Sequence, residues 1–157
     1  PMIAGNWKMN TDLNSAVLLT SDILKLTNDI KSNDVEIALF PPFPFIRDVW
    51  KSLQDSNPAD IRVGAQSVYF ETKGAYTAAV SASMLQSVGA ELVLVGHSER
   101  RSVFGESDGD VNRSLKQVLA QGMVPVLCVG ETLQEFEQGV NKEVIAVQLG
   151  KGLAGLT

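Results

Sequence analysis

The only histidine of the chain, His97, stands directly after an apolar run in "LVLVGHSERR", residues 92 to 101. An imidazole at the end of a strand, with a turn of helix starting behind it, meets backbone N–H groups whose partial positive charge disfavours the imidazolium. Such a ring is expected to stay uncharged and to donate a hydrogen bond to an oxygen on which negative charge develops. The competing reading is structural: a histidine satisfied by backbone at a strand terminus. Glu99, two residues on, is either an acid supporting that ring or an ordinary first-turn carboxylate. Arg100 and Arg101 are either anion ligands or adjacent surface cations.

A second polar cluster lies in "AGNWKMN", residues 4 to 10. If the chain is extended there, Asn6 and Lys8 project to one side and Trp7 to the other. An amide beside a fixed cation at a strand's carboxyl end can grip a phosphate or polarise a carbonyl. The alternative is a solvated lysine beside a core tryptophan. Cys128, inside "VPVLCV", has no second histidine to activate it and reads as a small buried residue. Ser98 is too close to His97 along the chain for nucleophile–base geometry, so triad chemistry is not expected. One cysteine and one histidine allow neither an internal disulfide nor a CxxC or HExxH metal site.

Short apolar segments supply the elements that must hold these groups. "MIAGNW", "VEIALF", "IRVGAQ", "LVLV" and "VPVLCV" start 33, 26, 31 and 32 residues apart. Rich in Val, Ile and Leu and with little alternation, they read as parallel strands covered on both faces. Between them the period lengthens. Leu13, Val17 and Leu24 form a helical stripe after "NTD", and Pro44 to Leu53 forms another helix. Ser81 is placed to cap a short helix ending before Gly89. Val111, Leu115, Val118 and Leu119 predict a helix that Gly122 ends. Leu133, Phe136, Val140, Val144 and Val147 predict one more, opened by a Thr132–Glu135 capping box.

Strands alternating with helices at about 30 residues per unit mean right-handed βα units and a parallel sheet. Either an open doubly wound sheet or part of an eight-stranded barrel has that rhythm, and in both the ligands sit beyond the carboxyl ends of the strands, where "GHSE" falls. No GxGxxG opens the helix after the first strand and no GxxxxGK[ST] occurs, which removes motif support for dinucleotide and P-loop readings.

Composition narrows the partners. The chain has 157 residues, 45% of them hydrophobic and 20% charged, enough for one core, so residues 1–157 are expected to form a single domain. A net charge of −5 without a Lys/Arg stripe argues against nucleic acid or an anionic membrane as partner. No apolar stretch approaches the roughly 18 residues of a spanning helix. The first residue is Pro1, which leaves room for an upstream segment removed in maturation. Asn112-Arg113-Ser114 matches a glycosylation acceptor, but inside a helical stretch it is discounted.

Taken in order, "AGNWKMN", "GHSERRSVFGES" and "PVLCVGETLQE" resemble triosephosphate isomerase, over essentially the whole chain. The resemblance implies a (β/α)8 TIM barrel of which this chain supplies about the first five βα units. It implies a homodimeric, cofactor-free and metal-free cytoplasmic enzyme of glycolysis and gluconeogenesis, or an organellar one if a leader was removed. Its substrates would be dihydroxyacetone phosphate and glyceraldehyde 3-phosphate. By the same likeness His97 is the neutral electrophile, the family's known arrangement beside a glutamate base. Lys8 binds substrate and offsets its charge, Asn6 positions it and Glu99 supports the pocket.

The family's long third loop matches residues 65–82, and there Thr77 is implied to reach a partner subunit. After that threonine the family usually has Gly-Glu, the glutamate pairing with the arginine matching Arg100. Ala78 and Ala79 stand here instead, which removes that partner of Arg100. The general-base glutamate, the lid and the phosphate-binding turns belong to later units and have no counterpart before the closing "GKGLAGLT". The isolated 157-residue chain is therefore expected to be inactive. The alternative is a non-catalytic half-barrel that assembles with a complementary chain or with itself.

Overall fold

A computed structural model describes residues 1–27, 35–56 and 61–156. Thr157, the last residue of "GKGLAGLT", lies outside them. Among these described residues five strands and seven α-helices follow in the order β1 (Met2–Asn6), α1 (Leu13–Thr27), β2 (Glu36–Phe40), α2 (Ile46–Ser56), β3 (Ile61–Ala65), α3 (Ala82–Ser87), β4 (Leu92–Val95), α4 (Ser98–Ser102), α5 (Asp108–Ala120), β5 (Val124–Leu127), α6 (Leu133–Glu137) and α7 (Asn141–Gly152). Each strand begins within a residue of its apolar segment. The sheet order is β1-β2-β3-β4-β5, the sequential order of successive βα units. No helix among the described residues is long and apolar enough to cross a membrane.

The chain divides into two compact units, one of residues 1–66 and 83–93, the other of 67–82 and 94–157. In the first, β1 pairs in parallel with β2 from Met2↔Glu36 to Asn6↔Phe40, β2 with β3 around Leu39↔Val63, and β3 with the start of β4 at Gly64↔Leu92. Parallel pairing needs helical crossovers, and α1 and α2 pack together to provide them. The core is built on Phe40, Ile46, Val49, Val63, Leu92 and Val93, all buried. Gly64 is there because of Phe40: a Cβ on residue 64 would come within 2.2 Å of that ring.

The α1 stripe departs from expectation. Its buried residues are Ala16 and Thr20, whereas Leu13 and Val17 are 47% and 37% exposed. Ala16 and Thr20 are one turn apart, and the Thr20 hydroxyl returns its proton to the Ala16 carbonyl (2.8 Å). Small residues let the helix axis approach its neighbour closely, a preference that a hydrophobicity pattern does not register. Strand burial is also uneven. All of β4 is buried, but β1 and β5 carry exposed positions, Ile3 at 63% and Val124 at 42%.

In the second unit the end of β4 meets β5 through Cys128 N–H donating to the Val95 carbonyl (2.9 Å). Val111, Leu115 and Val118 are buried on α5, as their spacing requires. Ser107 and Asp110 form a reciprocal capping box at its start, and Gly122 follows its end at φ +71°. Asn112 donates to the carbonyls of Gly152 (2.7 Å) and Ala154 (2.9 Å), which occupies the amide a glycan would need. The Thr132–Glu135 capping box is present, but the single helix expected after it is two: Gly139 takes φ +72° and separates α6 from α7. A left-handed residue cannot continue a right-handed helix.

Residues 67–82 form a loop closed at its base by Tyr69 N–H to Val80 O (2.9 Å), with the Tyr69 ring 4.2 Å from Phe70 and 4.9 Å from Tyr76. Ala78, where the resembled family carries glycine, sits at φ +70°.

Gly64→Ala should cost about 1–3 kcal/mol, since a buried ring must move; urea titration measures it. Ala78→Gly should raise the unfolding free energy by up to about 1 kcal/mol, because the left-handed region strains any Cβ. Asp110 is held below its ordinary value of 3.8 by hydrogen bonds from Ser107 and by Arg113. Its contribution is complete above that value and lost as pH falls through the depressed one. The stability difference between the parent and Asp110→Asn should therefore shrink with acidification below pH about 4; a difference constant down to pH 2 refutes the assignment.

Candidate active site

In the first unit the polar pair of "AGNWKMN" is brought together, but not by strand alternation. β1 ends at Asn6, and Lys8 turns into the left-handed region at φ +55°. The expectation that both residues project from one face of an extended strand therefore fails. Instead the Asn6 Oδ1 accepts the Lys8 N–H (2.9 Å), an amide–backbone bond that folds the turn. Gln66 then fixes the turn from the end of β3, its Nε2 donating to the carbonyls of Lys8 (2.8 Å) and Phe40 (2.9 Å). A non-glycine residue at positive φ costs of order 1–3 kcal/mol and persists where its surroundings impose it. Lys8 is exposed. Gln66 was not legible as a site residue, because no local motif marks it.

In the second unit His97 caps α4. Its Nδ1 accepts the backbone N–H of Glu99 (3.2 Å), so the helix donors do point back at the ring. This bond assigns Nδ1 as acceptor and leaves Nε2 as the nitrogen that can carry a proton and donate it. The Glu99 carboxylate lies 3.8 Å from Nδ1, outside hydrogen-bond range, and is about half exposed. The amide bond, not the carboxylate, orients the ring. Thr77 is exposed on the 67–82 loop.

The two arginines differ from a pair of surface cations. Arg101 is only 16% exposed; its Nε donates to the Gly96 carbonyl (2.8 Å) and its Nη1 to Asp108 Oδ1 (2.6 Å). Arg100 lies over the Phe104 ring, 4.4 Å from its centroid. Glu106 completes the cluster. Burial pushes its carboxyl above the usual range, while the guanidinium groups of Arg100 and then Arg101 pull it partly back. Arg100 thus has an acidic neighbour in its own chain. Among the described residues Arg100 Nε, Arg101 Nη2 and Glu106 Oε2 are buried without hydrogen-bond partners. Sequence reading missed Glu106 and Asp108; an acid five or seven residues past an arginine is one of many such pairs until the turn is known.

Cys128 is part-buried, and desolvation pushes its thiol up, the opposite of what a nucleophile needs. After β5 the Gly130 backbone is clasped at both ends by the Gln148 amide, at 2.8 and 2.9 Å. Among the described residues no three of His, Cys, Asp and Glu gather to hold a metal ion. What the two units offer chemically is a lysine whose backbone is held by two amide side chains in one, and a backbone-oriented imidazole in the other.

The chain is similar to curated triosephosphate isomerases of bacteria. It is 43% identical over 157 residues to that of Carboxydothermus hydrogenoformans, covering all of this chain and 61% of the relative. It is 40% identical to that of Clostridium novyi over 99% of this chain and 60% of the relative, and 43% identical to that of Chloroherpeton thalassium with the same coverage. The chain spans about three fifths of the length of these relatives. The family model described as triosephosphate isomerase matches residues 1–157. Five βα units in sequential order, the strand-end residues and this match together place the chain in the triosephosphate isomerase family.

Proposed function

We propose that the protein to which these residues belong interconverts dihydroxyacetone phosphate and glyceraldehyde 3-phosphate by proton transfer through an enediolate. Residues 1–157 would contribute the first five units of one barrel domain. A base removes the proton from the carbon beside the carbonyl, the electron pair moves onto the carbonyl oxygen, and a donor must hold that oxygen as its charge grows. His97 takes this role through Nε2–H. The observation that carries the reading is the Glu99 N–H to His97 Nδ1 bond, which leaves Nε2 as donor. Lys8 offsets the charge of the phosphorylated substrate and Asn6 fixes its turn, supported by the Asn6–Lys8 bond. Glu99 holds the imidazole by its backbone.

By the resemblance the general base would come from a unit after the fifth, outside residues 1–157. A homodimer formed through the 65–82 loop, with Thr77 and Arg100 at the interface, and a cytoplasmic place in glycolysis and gluconeogenesis complete the proposal. A second reading, a non-catalytic half-barrel assembling with a complementary chain or itself, draws on exposed apolar residues: Ile3 at 63%, Leu133 at 73% and Phe136 at 62%. Sedimentation tests it, and a 157-residue chain that stays monomeric and soluble at high concentration sinks it.

Isomerase turnover and solvent deuterium uptake into product, followed by NMR, test the main reading. In the complete protein His97→Gln should lower kcat by about 10²–10³, the usual effect of losing one oxyanion donor. The 157-residue chain alone should fall about 10²–10⁴ below the complete protein for want of the base. Unchanged kcat in His97→Gln refutes the role of the ring, and full turnover by the 157-residue chain refutes the missing base.

A further inference from the structure

We propose that Arg101 and Glu106 are positioning residues for His97, acting through the Gly96 peptide rather than by touching substrate. The inference rests on the reading of His97 as the donor to the reacting oxygen. Gly96 is buried between β4 and α4, and both of its backbone polar groups are engaged by side chains. Its carbonyl accepts Arg101 Nε (2.8 Å) and its amide faces the Glu106 carboxylate. Arg101 is anchored in turn by Asp108 (2.6 Å), the first residue of α5, whose start is locked by the Ser107–Asp110 capping box. The peptide that precedes the imidazole is thus tied to the most deeply buried helix of its unit.

The space around it allows little else. Gly96 holds φ +74°, and a Cβ there would lie 2.9 Å from Arg101 Nη2, 2.9 Å from Val111 Cγ2 and 3.3 Å from the Cys128 carbonyl. The ring nitrogens stand several ångströms beyond the His97 Cα, so a tilt of this peptide by 10–20° displaces Nε2 by about 1 Å, a misplacement that can cost about 10² in rate. A buried ion cluster with orphaned atoms contributes little net stability. The geometry it imposes on the next residue accounts better for its presence under a strand-end imidazole.

His97 is the chain's one histidine, so 15N labelling of histidine reads its ring alone. In the parent the two ring nitrogens should be widely separated in shift, the pattern of a single tautomer with Nδ1 as acceptor. Arg101→Lys, which loses the fork, and Asp108→Asn, which loosens the anchor while keeping the volume, should both narrow that separation as the second tautomer appears. Exchange protection of the Glu99 amide should fall about fivefold, the worth of a hydrogen bond of roughly 1 kcal/mol. Val118→Ala, a core change on α5 away from the cluster, should do neither. Unchanged ring shifts in Arg101→Lys and Asp108→Asn, or an equal change in Val118→Ala, overturns the proposal. No turnover is needed: a displaced ring with no isomerase activity in the parent would sink the enzymatic reading and leave the clamp standing.

Discussion

The peptide at Gly96 is where a parallel strand must stop and present a side chain. All of β4 is buried, so the chain leaves the core with backbone groups that the sheet no longer satisfies. Glycine supplies the left-handed turn, Arg101 takes the carbonyl, and the next residue becomes the cap of α4. The cap is the imidazole itself. Its orientation is therefore a by-product of satisfying the helix start, which makes the ring's geometry as rigid as the backbone it bonds.

The same problem is solved at three other strand ends by two amide side chains. Gln66 holds the carbonyls of Lys8 and Phe40 after β1 and β2, and Gln148 holds both backbone groups of Gly130 after β5. Each clasp comes from a later stretch of chain than the loop it secures, by 58 residues for Lys8 and 18 for Gly130. A loop built this way keeps a strained residue such as Lys8 in place without regular structure of its own. The strand ends are thus held by single polar side chains while the strands below them are held by apolar packing.

The unit containing His97 also concentrates charge where burial makes it consequential. Glu106 is shifted upward by desolvation against the opposing pull of two arginines. Asp110 and Glu135, at exposed helix starts, are shifted downward by hydrogen bonds they accept. The contrast is one of environment alone, since all are carboxylates close to a helix N-terminus.

Strand positions, the helix over 108–120 with its stop at Gly122, and the capping box at Thr132 were legible in the sequence, because apolar period and capping chemistry are local and act within a few residues. The imidazole at the close of β4 and the cation after β1 were legible too, since strand ends follow from the same periods. Tertiary structure alone decided which face of α1 is buried, where Gly139 breaks the last helix, and that Lys8 abandons the extended conformation. It alone brought Gln66, Glu106 and Asp108 to the loops they hold. Those outcomes depend on partners that the chain's folding supplies, on how closely helices approach and on which strand-end groups remain unsatisfied. Residue type and spacing carry no record of either.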